Sequence, residues 1–373
     1  MSQTSVQPGQ GETGEPLRGL HVLVTGAAGL VGRRLVADLM ALGCRVRGVD
    51  RSPADPPHGT RYEHIVGDLC GPHIANRACR GVDALVHCAA VQYHDRIPAW
   101  SRAAHFQQNV VAGAALAAAA EAAGVARIVY VSSDMAYGVP DTSPLPETHE
   151  CRPAGPYGRS KLECERILCA ARRRGARVAI LRPRLIIGPG RLGVLRPLFD
   201  RVRAGRAIPL IGAGRNRYQM AAVADVSSAC IQCLRRGADG LFNLGSDRPP
   251  TVRELLAELC VRAGSRSRLV PLPALLVQAA LRGLDLVSLA PLAPEQYRLA
   301  AVDCVLDTSA ARRVLGWQPR HTDIDMLWQA YLSYTGAGTQ PSPVRAQRVA
   351  SAADVPAMPP PGARPPVDAA RRE

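Results

Sequence analysis

The stretch PYGRSK at residues 156–161 places Tyr157 and Lys161 four positions apart. Lys161 is the single lysine of a 373-residue chain whose 46 Lys plus Arg are otherwise all arginine. At helical spacing the two side chains share a face. A tyrosine with an ordinary pKa of about 10 is a poor base at neutral pH, and a neighbouring ammonium favours the phenolate and lowers that pKa. A tyrosine tuned in this way takes a proton from an alcohol or gives one to a carbonyl. A planar guanidinium does not reproduce the compact ammonium, which is also suited to hydrogen-bonding a ribose. A chain that uses arginine everywhere else and keeps one lysine here therefore reads as a site intolerant of the exchange. Chance survival of one lysine is the competing reading.

The elements needed to position such a pair are legible upstream. Residues 20–25, LHVLVT, read as a short buried strand, followed by the turn GAAGLVG and by RRLVADLMALG at helical spacing. In such a turn Gly26 permits the tight bend, Gly29 lets backbone approach a pyrophosphate, and Gly32 lets the helix pack on the sheet. The pyrophosphate would sit on the helix N-terminus, at Leu30 and Val31, where free amides and the dipole favour an anion. The next strand, RVRGVD, ends in Asp50, whose carboxylate can accept the ribose hydroxyls of NAD and would repel the 2′-phosphate of NADP. Arg51 beside it can stack on adenine or tolerate that phosphate. Further strands, YEHIVGDL, DALVHCAA and RIVYVSS, alternate with helical stretches. The pattern is an α/β, doubly wound parallel sheet of the Rossmann type. Ligands bind such sheets at the carboxyl ends of the strands, where Asp68, Ala89, Ala90 and Ser133 fall. Asn109, within FQQNVVAG, is a supporting cofactor residue or a plain polar helix position.

Composition excludes several classes. The formal charge of +15 is carried by scattered arginines with one run at residues 172–174, a pattern that favours anionic small ligands over a nucleic-acid footprint. Eleven cysteines, odd in number and irregularly spaced, do not make a disulfide framework, and a reducing cytoplasm suits them best. Cys230 and Cys233 lack a second cysteine pair or nearby histidines, so they read as core residues and no metal is expected. Residues 1–17 and 336–373 are expected to be disordered tails; the first lacks a secretory hydrophobic core, and the second is rich in Pro, Ala and Arg. The apolar stretch 269–294 is broken by Pro271, Pro273, Arg282 and Asp285 and reads as a helix of the substrate lobe, with no membrane span.

YGRSK, GAAGLVG, HCAA, VSSDMAYG and LRPRLIIGPG together resemble the extended short-chain dehydrogenase/reductase superfamily, in its NAD-dependent epimerase/dehydratase branch. VADVSSA, FNLGS and DTSAARRVLGWQPR extend the likeness over roughly residues 20–335. The resemblance implies that Tyr157 is the acid/base, Lys161 its tuner and ribose ligand, and Ser133 the hydroxyl on the reacting oxygen. It implies an adenine contact at Asp68 and Leu69, and a loop beside the nicotinamide starting at Pro183. Tyr137 and Arg217 fall toward the substrate, although Arg217 lies one position off the family's diphosphate-binding arginine and a surface role is equally open. The implied layout is an NAD-binding domain over 18–184 and a smaller C-terminal substrate lobe over 185–335, with 222–235 returning to the sheet. Homodimers are usual in the family, and the Ala-rich helix around 112–123 would pack closely enough for one.

Two activities remain. A nucleotide-sugar epimerase is favoured by FNLGS and DTSAARRVLGWQPR. A hydroxysteroid-type dehydrogenase or carbonyl reductase is favoured by Leu185, where sugar-nucleotide enzymes carry asparagine, by Ala222, where they carry an aromatic residue or histidine, and by the apolar 269–294 stretch. A sugar dehydratase is disfavoured because Met135, which cannot move protons, stands where its glutamate would be. A non-catalytic cofactor-binding protein is disfavoured by the intact Ser133, Tyr157 and Lys161 set.

Overall fold

A computed structural model describes residues 17–54, 61–92, 97–190, 195–287, 289–290 and 292–336. Strand β1 (His21–Thr25) is almost wholly buried, as expected where helices cover both faces of a parallel sheet. After it come α1 (Leu30–Ala41), β2 (Arg45–Asp50), β3 (Tyr62–Val66), α2 (Pro72–Cys79), β4 (Ala84–His87), α3 (Arg102–Ala122), β5 (Arg127–Val131), α4 (Pro156–Ala170) and β6 (Arg177–Pro183). The second half supplies β7 (Leu185–Ile187), α5 (Arg196–Arg203), β8 (Ile208–Ile211), β9 (Met220–Ala222), α6 (Val223–Arg236) and β10 (Gly240–Leu244). It ends with α7 (Val252–Arg262), β11 (Leu269–Leu272), α8 (Ala274–Leu286), α9 (Pro294–Leu299), α10 (Ser309–Leu315) and α11 (Asp323–Thr335).

Seven parallel strands form one sheet in the order β10-β6-β5-β4-β1-β2-β3. Chain direction across the sheet reverses between β1 and β4, and a crevice opens at the carboxyl ends of strands at such a point. One face is covered by α1, α6 and α10, through Leu35, Leu39, Val226, Cys230, Cys233, Leu315 and Trp317. The CxxC cysteines thus lie in the core, and burial holds both thiols well above their ordinary pKa. The other face is covered by α2, α3 and α4, through Ala75, Leu116, Ala120, Cys164 and Leu168. Helices α3 and α4 approach closely at Gly113, where a Cβ would collide with the Cys164 sulfur.

One carboxylate locks α4 to the sheet. Glu165 accepts Arg182 Nε at 2.9 Å and Nη2 at 2.6 Å in a side-on fork, and it also accepts the Ser132 hydroxyl. All three side chains are buried, so α4, β6 and the end of β5 are held in one register.

A smaller core gathers Ile187, Phe199, Leu210, Met220, Leu256, Leu259 and Met326 from β7, α5, β8, β9, α7 and α11. Asp323 fastens this lobe, accepting Met220 N at 2.7 Å and the Ser246 hydroxyl at 2.5 Å. The returning segment runs further than residue 235, because β10 completes the large sheet beside β6. The apolar stretch from 269 forms β11, α8 and the approach to α9, and among the described residues no helix is long and apolar enough to cross a membrane. Leu17, expected in a disordered tail, is core, and its carbonyl accepts the Cys44 thiol at 3.2 Å. Gly336, expected to begin the other tail, closes α11 in the left-handed conformation. The rest of both tails lies outside the described residues.

Glu165→Gln leaves the buried Arg182 guanidinium without its counter-charge, and loss of one partner of a buried pair costs about 3–5 kcal/mol. Urea unfolding is expected to show that loss, and a Glu165→Leu/Arg182→Met double variant is expected to recover most of it.

Candidate active site

The crevice begins at the turn after β1. Gly26 has φ of +69°, and a Cβ there would lie 2.7 Å from the backbone nitrogen of Ala89. A Cβ at Gly32 would collide with the Gly26 carbonyl oxygen. The turn is tied to the end of β2 by Gly26 N to Val49 O at 2.8 Å. Gly29 then opens α1 with no side chain capping it, which leaves the first amides, including those of Leu30 and Val31, for an anion. Val31 packs its side chain against the core.

Asp50 stands at the end of β2, accepting Ala28 N at 3.1 Å and Ser52 N at 3.0 Å. Its carboxylate therefore braces the glycine turn as well as facing the crevice end of the strand. Arg51 reaches Gln108 Oε1 at 3.4 Å. Asp68 accepts Cys70 N at 2.9 Å, while the Leu69 side chain is buried with Ile65 and Ala75. Ala89 and Ala90 follow β4, and Ala89 N donates to the Thr25 hydroxyl at 3.3 Å. That hydroxyl also meets His87 Nδ1 at 2.7 Å. Burial, reinforced by the Lys161 charge, pulls the His87 pKa down to about 3, so its ring is neutral. Neither Thr25 nor His87 was singled out from sequence. A glycine cradle, an uncapped helix start and a carboxylate at the next strand end fit a dinucleotide.

Asn109 serves as a brace. Its Oδ1 accepts Val91 N at 2.8 Å, and its amide donates to Val91 O at 3.3 Å and to the Ser160 hydroxyl at 3.1 Å. Ser160 in turn donates to the Tyr157 carbonyl at 2.8 Å. Asn109 thus couples the loop after β4 to the helix that carries Tyr157.

Tyr157 lies in the first turn of α4, entered through Gly155 and Pro156, where proline's missing N–H costs nothing. Its ring meets Phe106 edge-on at 5.5 Å. One turn later Lys161 is 2% exposed. Its Nζ donates to Val131 O at 2.8 Å and stands 4.5 Å from the centre of the Tyr130 ring. Burial lowers its pKa to about 8, with partial compensation from Cys164, Glu165 and Cys88. Ser133, just past β5, accepts Met135 N at 3.2 Å and donates to Asp134 Oδ1 at 3.1 Å. Pro183 is buried at the end of β6, paired with Leu244.

The two residues expected toward the substrate lie in different settings. Tyr137 is 1% exposed, its hydroxyl donates to Asn243 Oδ1 at 2.8 Å, and the Arg182 guanidinium lies 4.3 Å over its ring. It is a core residue, because a tyrosine with both its face and its hydroxyl engaged has no group left for a ligand. Arg217 is half exposed, with a loose pair to Asp303 at 3.6 Å.

Two further buried ionisable residues near the site, Arg184 and Glu295, were also not singled out from sequence. Arg184 pairs with Asp134 at 2.7 Å. Glu295, on α9, accepts the backbone N–H of Tyr157 at 3.0 Å from 138 positions away. Gly155 makes room for it, since a Cβ there would collide with the carboxylate.

A profile of the NAD-dependent epimerase/dehydratase family matches residues 22–245. This chain belongs to that family. It is an NAD-dependent enzyme of the extended short-chain dehydrogenase/reductase type. An uncharacterized protein of Sinorhizobium fredii is 32% identical over 84% of this chain and 78% of its own length. A 4-hydroxy-2-methyl-3-oxo-4-farnesyl-3,4-dihydroquinoline-1-oxide ketoreductase of Stigmatella aurantiaca is 28% identical, covering 85% of this chain and 98% of that protein. MoeE5, solved with NAD and either UDP-glucose or UDP-glucuronic acid, superposes with a TM-score of 0.68 at 27% identity, over 85% of this chain and 99% of its own.

Burial drives the Glu295 carboxyl up to about 7 against the pull of the Tyr157 and Gly158 amides and of Arg159 and Arg102. The folded chain holds this proton more tightly than an unfolded glutamate near 4.5, so its share of stability falls as pH rises from about 4.5 to about 7. Glu295→Gln keeps an acceptor for Tyr157 N and removes that titration. Melting temperatures at pH 5 and pH 8 are expected to differ less in the variant than in the wild type.

Proposed function

We propose that this chain moves a hydride at a secondary alcohol or its ketone, with Tyr157 transferring the proton, Lys161 supporting the phenolate and Ser133 holding the reacting oxygen. The observation that carries this reading is Lys161, the lone lysine, buried and pinned to Val131 O one turn from Tyr157. A buried ammonium at that place lowers the free energy of the phenolate. Bound NAD supplies the hydride acceptor and, in the reverse sense, the donor. Gly26, Gly29 and Gly32 shape its cradle, the amides of Leu30 and Val31 take the pyrophosphate, and Asp50 takes the ribose hydroxyls, which favours NAD over NADP. The large sheet holds the cofactor, and the lobe from residue 185, α6 and β10 excepted, holds the substrate.

The finer reading is a nucleotide-sugar epimerase, supported by the likeness to MoeE5 over 85% of this chain and by Arg217, whose half-exposed guanidinium leaves it open to an anionic ligand. The FNLGS and LGW segments that favoured it carry less weight in three dimensions. Asn243 holds Tyr137 and Leu145 O, and Trp317 donates to Asp225 O, so both residues build the core. A dehydrogenase or ketoreductase is the second reading, favoured by the apolar Leu185 and Ala222 and by the exposed leucines of α8, Leu275 and Leu276.

Lys161→Arg must fit a wider cation between Val131 O and the Tyr130 ring. Single-turnover rates are expected to fall by about two decades, a loss of the size seen when general acid–base function is removed. Retention of more than half the rate would remove the role given to Lys161.

The fate of the reduced cofactor separates the two finer readings. An epimerase returns the hydride to the intermediate it came from, so NAD copurifies and no NADH accumulates in solution. A dehydrogenase exchanges cofactor at each turnover, so the reduced-nicotinamide absorbance grows with product. Stoichiometric NADH release from a hydroxylated lipid, with no thermal protection by UDP-sugars, would reject the epimerase.

A further inference from the structure

Helix α8 is turned inside out. A surface helix ordinarily lays its apolar stripe on the core and gives its polar side chains to water. On α8, Leu275, Leu276, Ala280, Leu284 and Leu286 fill roughly half the helix circumference at about 100° per residue, and all of them are exposed, Leu275 at 82% and Leu286 at 85%. The covered side carries Gln278 and Asp285 beside the buried Leu281. Arg282, also exposed, stands at the border of the outer face. The apolar surface runs on past the helix through the exposed Val287 and Leu289.

A bidentate ion pair fixes this orientation. Arg102, the first residue of α3, donates Nη1 to Asp285 Oδ2 at 3.0 Å and Nη2 to Oδ1 at 2.5 Å, while its Nε donates to Ile97 O at 3.0 Å. Both side chains are largely shielded from water. Rolling α8 to bury its leucines would break the pair and carry Asp285 outward. The same clamp brings the turn Ala99–Ser101 to the C-terminal end of α8, and Trp100 in that turn is 85% exposed. A tryptophan and a leucine face from distant parts of the chain therefore adjoin there. Exposed apolar surface of this kind, bordered by charge, marks a place of interaction.

We propose that the outer face of α8, together with Trp100, docks this protein on the surface of an anionic phospholipid bilayer, the helix lying in the plane of the headgroups. Thirteen residues give a helix of about 20 Å, short of the ~30 Å hydrocarbon layer, so α8 can rest in the interface and not cross it. Leucines sink into the acyl boundary, and tryptophan sits at headgroup depth. Charge selects the occupant. Arg282 borders the face, Arg266 and Arg268 are exposed just before β11, and the nearby acid, Asp285, is already neutralised by Arg102. Anionic headgroups complement those arginines, whereas a second copy of a chain with formal charge +15 would bring like charges to the same border. The proposal rests on burial and charge alone and stands apart from the hydride chemistry.

The test is co-sedimentation of the full chain with vesicles of phosphatidylcholine alone and of phosphatidylcholine with an equal share of phosphatidylglycerol. Each arginine near an anionic surface is worth about a five-fold gain in affinity, so the mixed vesicles are expected to bind at least ten-fold more tightly. Fluorescence reports the depth: Trp100 emission is expected to shift to the blue and to be quenched by brominated lipid, while the buried Trp317 is not reached. Leu276→Glu/Leu286→Glu places two carboxylates on the exposed face and is expected to abolish sedimentation with the melting temperature unchanged. Trp100→Ser is expected to weaken sedimentation and to remove the quenched signal. Absence of binding to either vesicle would overturn the proposal. So would undiminished binding of the double variant, which would assign the attraction to scattered arginines. A concentration-dependent dimer that the double variant dissolves, without vesicle binding, would give the face to a second copy and overturn it equally.

Discussion

The position of α4 on the sheet is the constraint on which everything else here depends, and a single carboxylate sets it. Glu165 gathers Arg182 from β6 and Ser132 from the end of β5. Burying such a pair carries a desolvation penalty that only good geometry and filled hydrogen bonds offset. The fork and the serine meet that condition, so the helix cannot slide by a turn without leaving ions unpaired. Tyr157 and Lys161 ride on that helix, and Ser133 follows Ser132. The relative placement of the three is thus a by-product of how α4 is anchored.

Burial also sets the electrical character of the cleft. His87 is held neutral, Lys161 is brought to about 8, and the Cys88 thiol is pushed up to about 12, each chiefly by loss of water. Neutral neighbours leave the lysine as the cation beside the tyrosine at neutral pH. Thr25, meeting His87 on one side and Ala89 N on the other, joins the end of β1 to β4 and to the turn after it.

The sheet and the glycine turn were legible because local pattern and tertiary role agree. Short continuous apolar runs bounded by turns, such as LHVLVT and DALVHCAA, suit strands covered on both faces, and Gly26 and Gly32 are fixed by close backbone approach. Residues chosen by distant partners were less legible. Tyr137 looks like a cleft residue beside Ser133, yet Asn243 and Arg182 take it into the core. Leu17 sits in a polar segment, and its burial comes from the strand edge near Cys44. Arg182 and Arg184 are indistinguishable in a chain full of arginine; what separates them is that Glu165 fills the fork of one while Asp134 pairs with the other. Motif segments such as FNLGS mark the family through its packing, which is why they say little about the substrate.

The cap on α4 carries a consequence for how this protein is made. Glu295 reaches Tyr157 from 138 positions downstream, and β10, the edge strand beside β6, also follows the small lobe's first elements. A ribosome therefore releases the glycine turn, Tyr157 and Lys161 long before the residue that secures the tyrosine's helix. Domains fold as units as they emerge, and the early sheet waits with one edge bare and its key helix uncapped. The last third of the chain acts as a delayed fastener, so a nascent or truncated product has Tyr157 and Lys161 on a helix that lacks its distant partner.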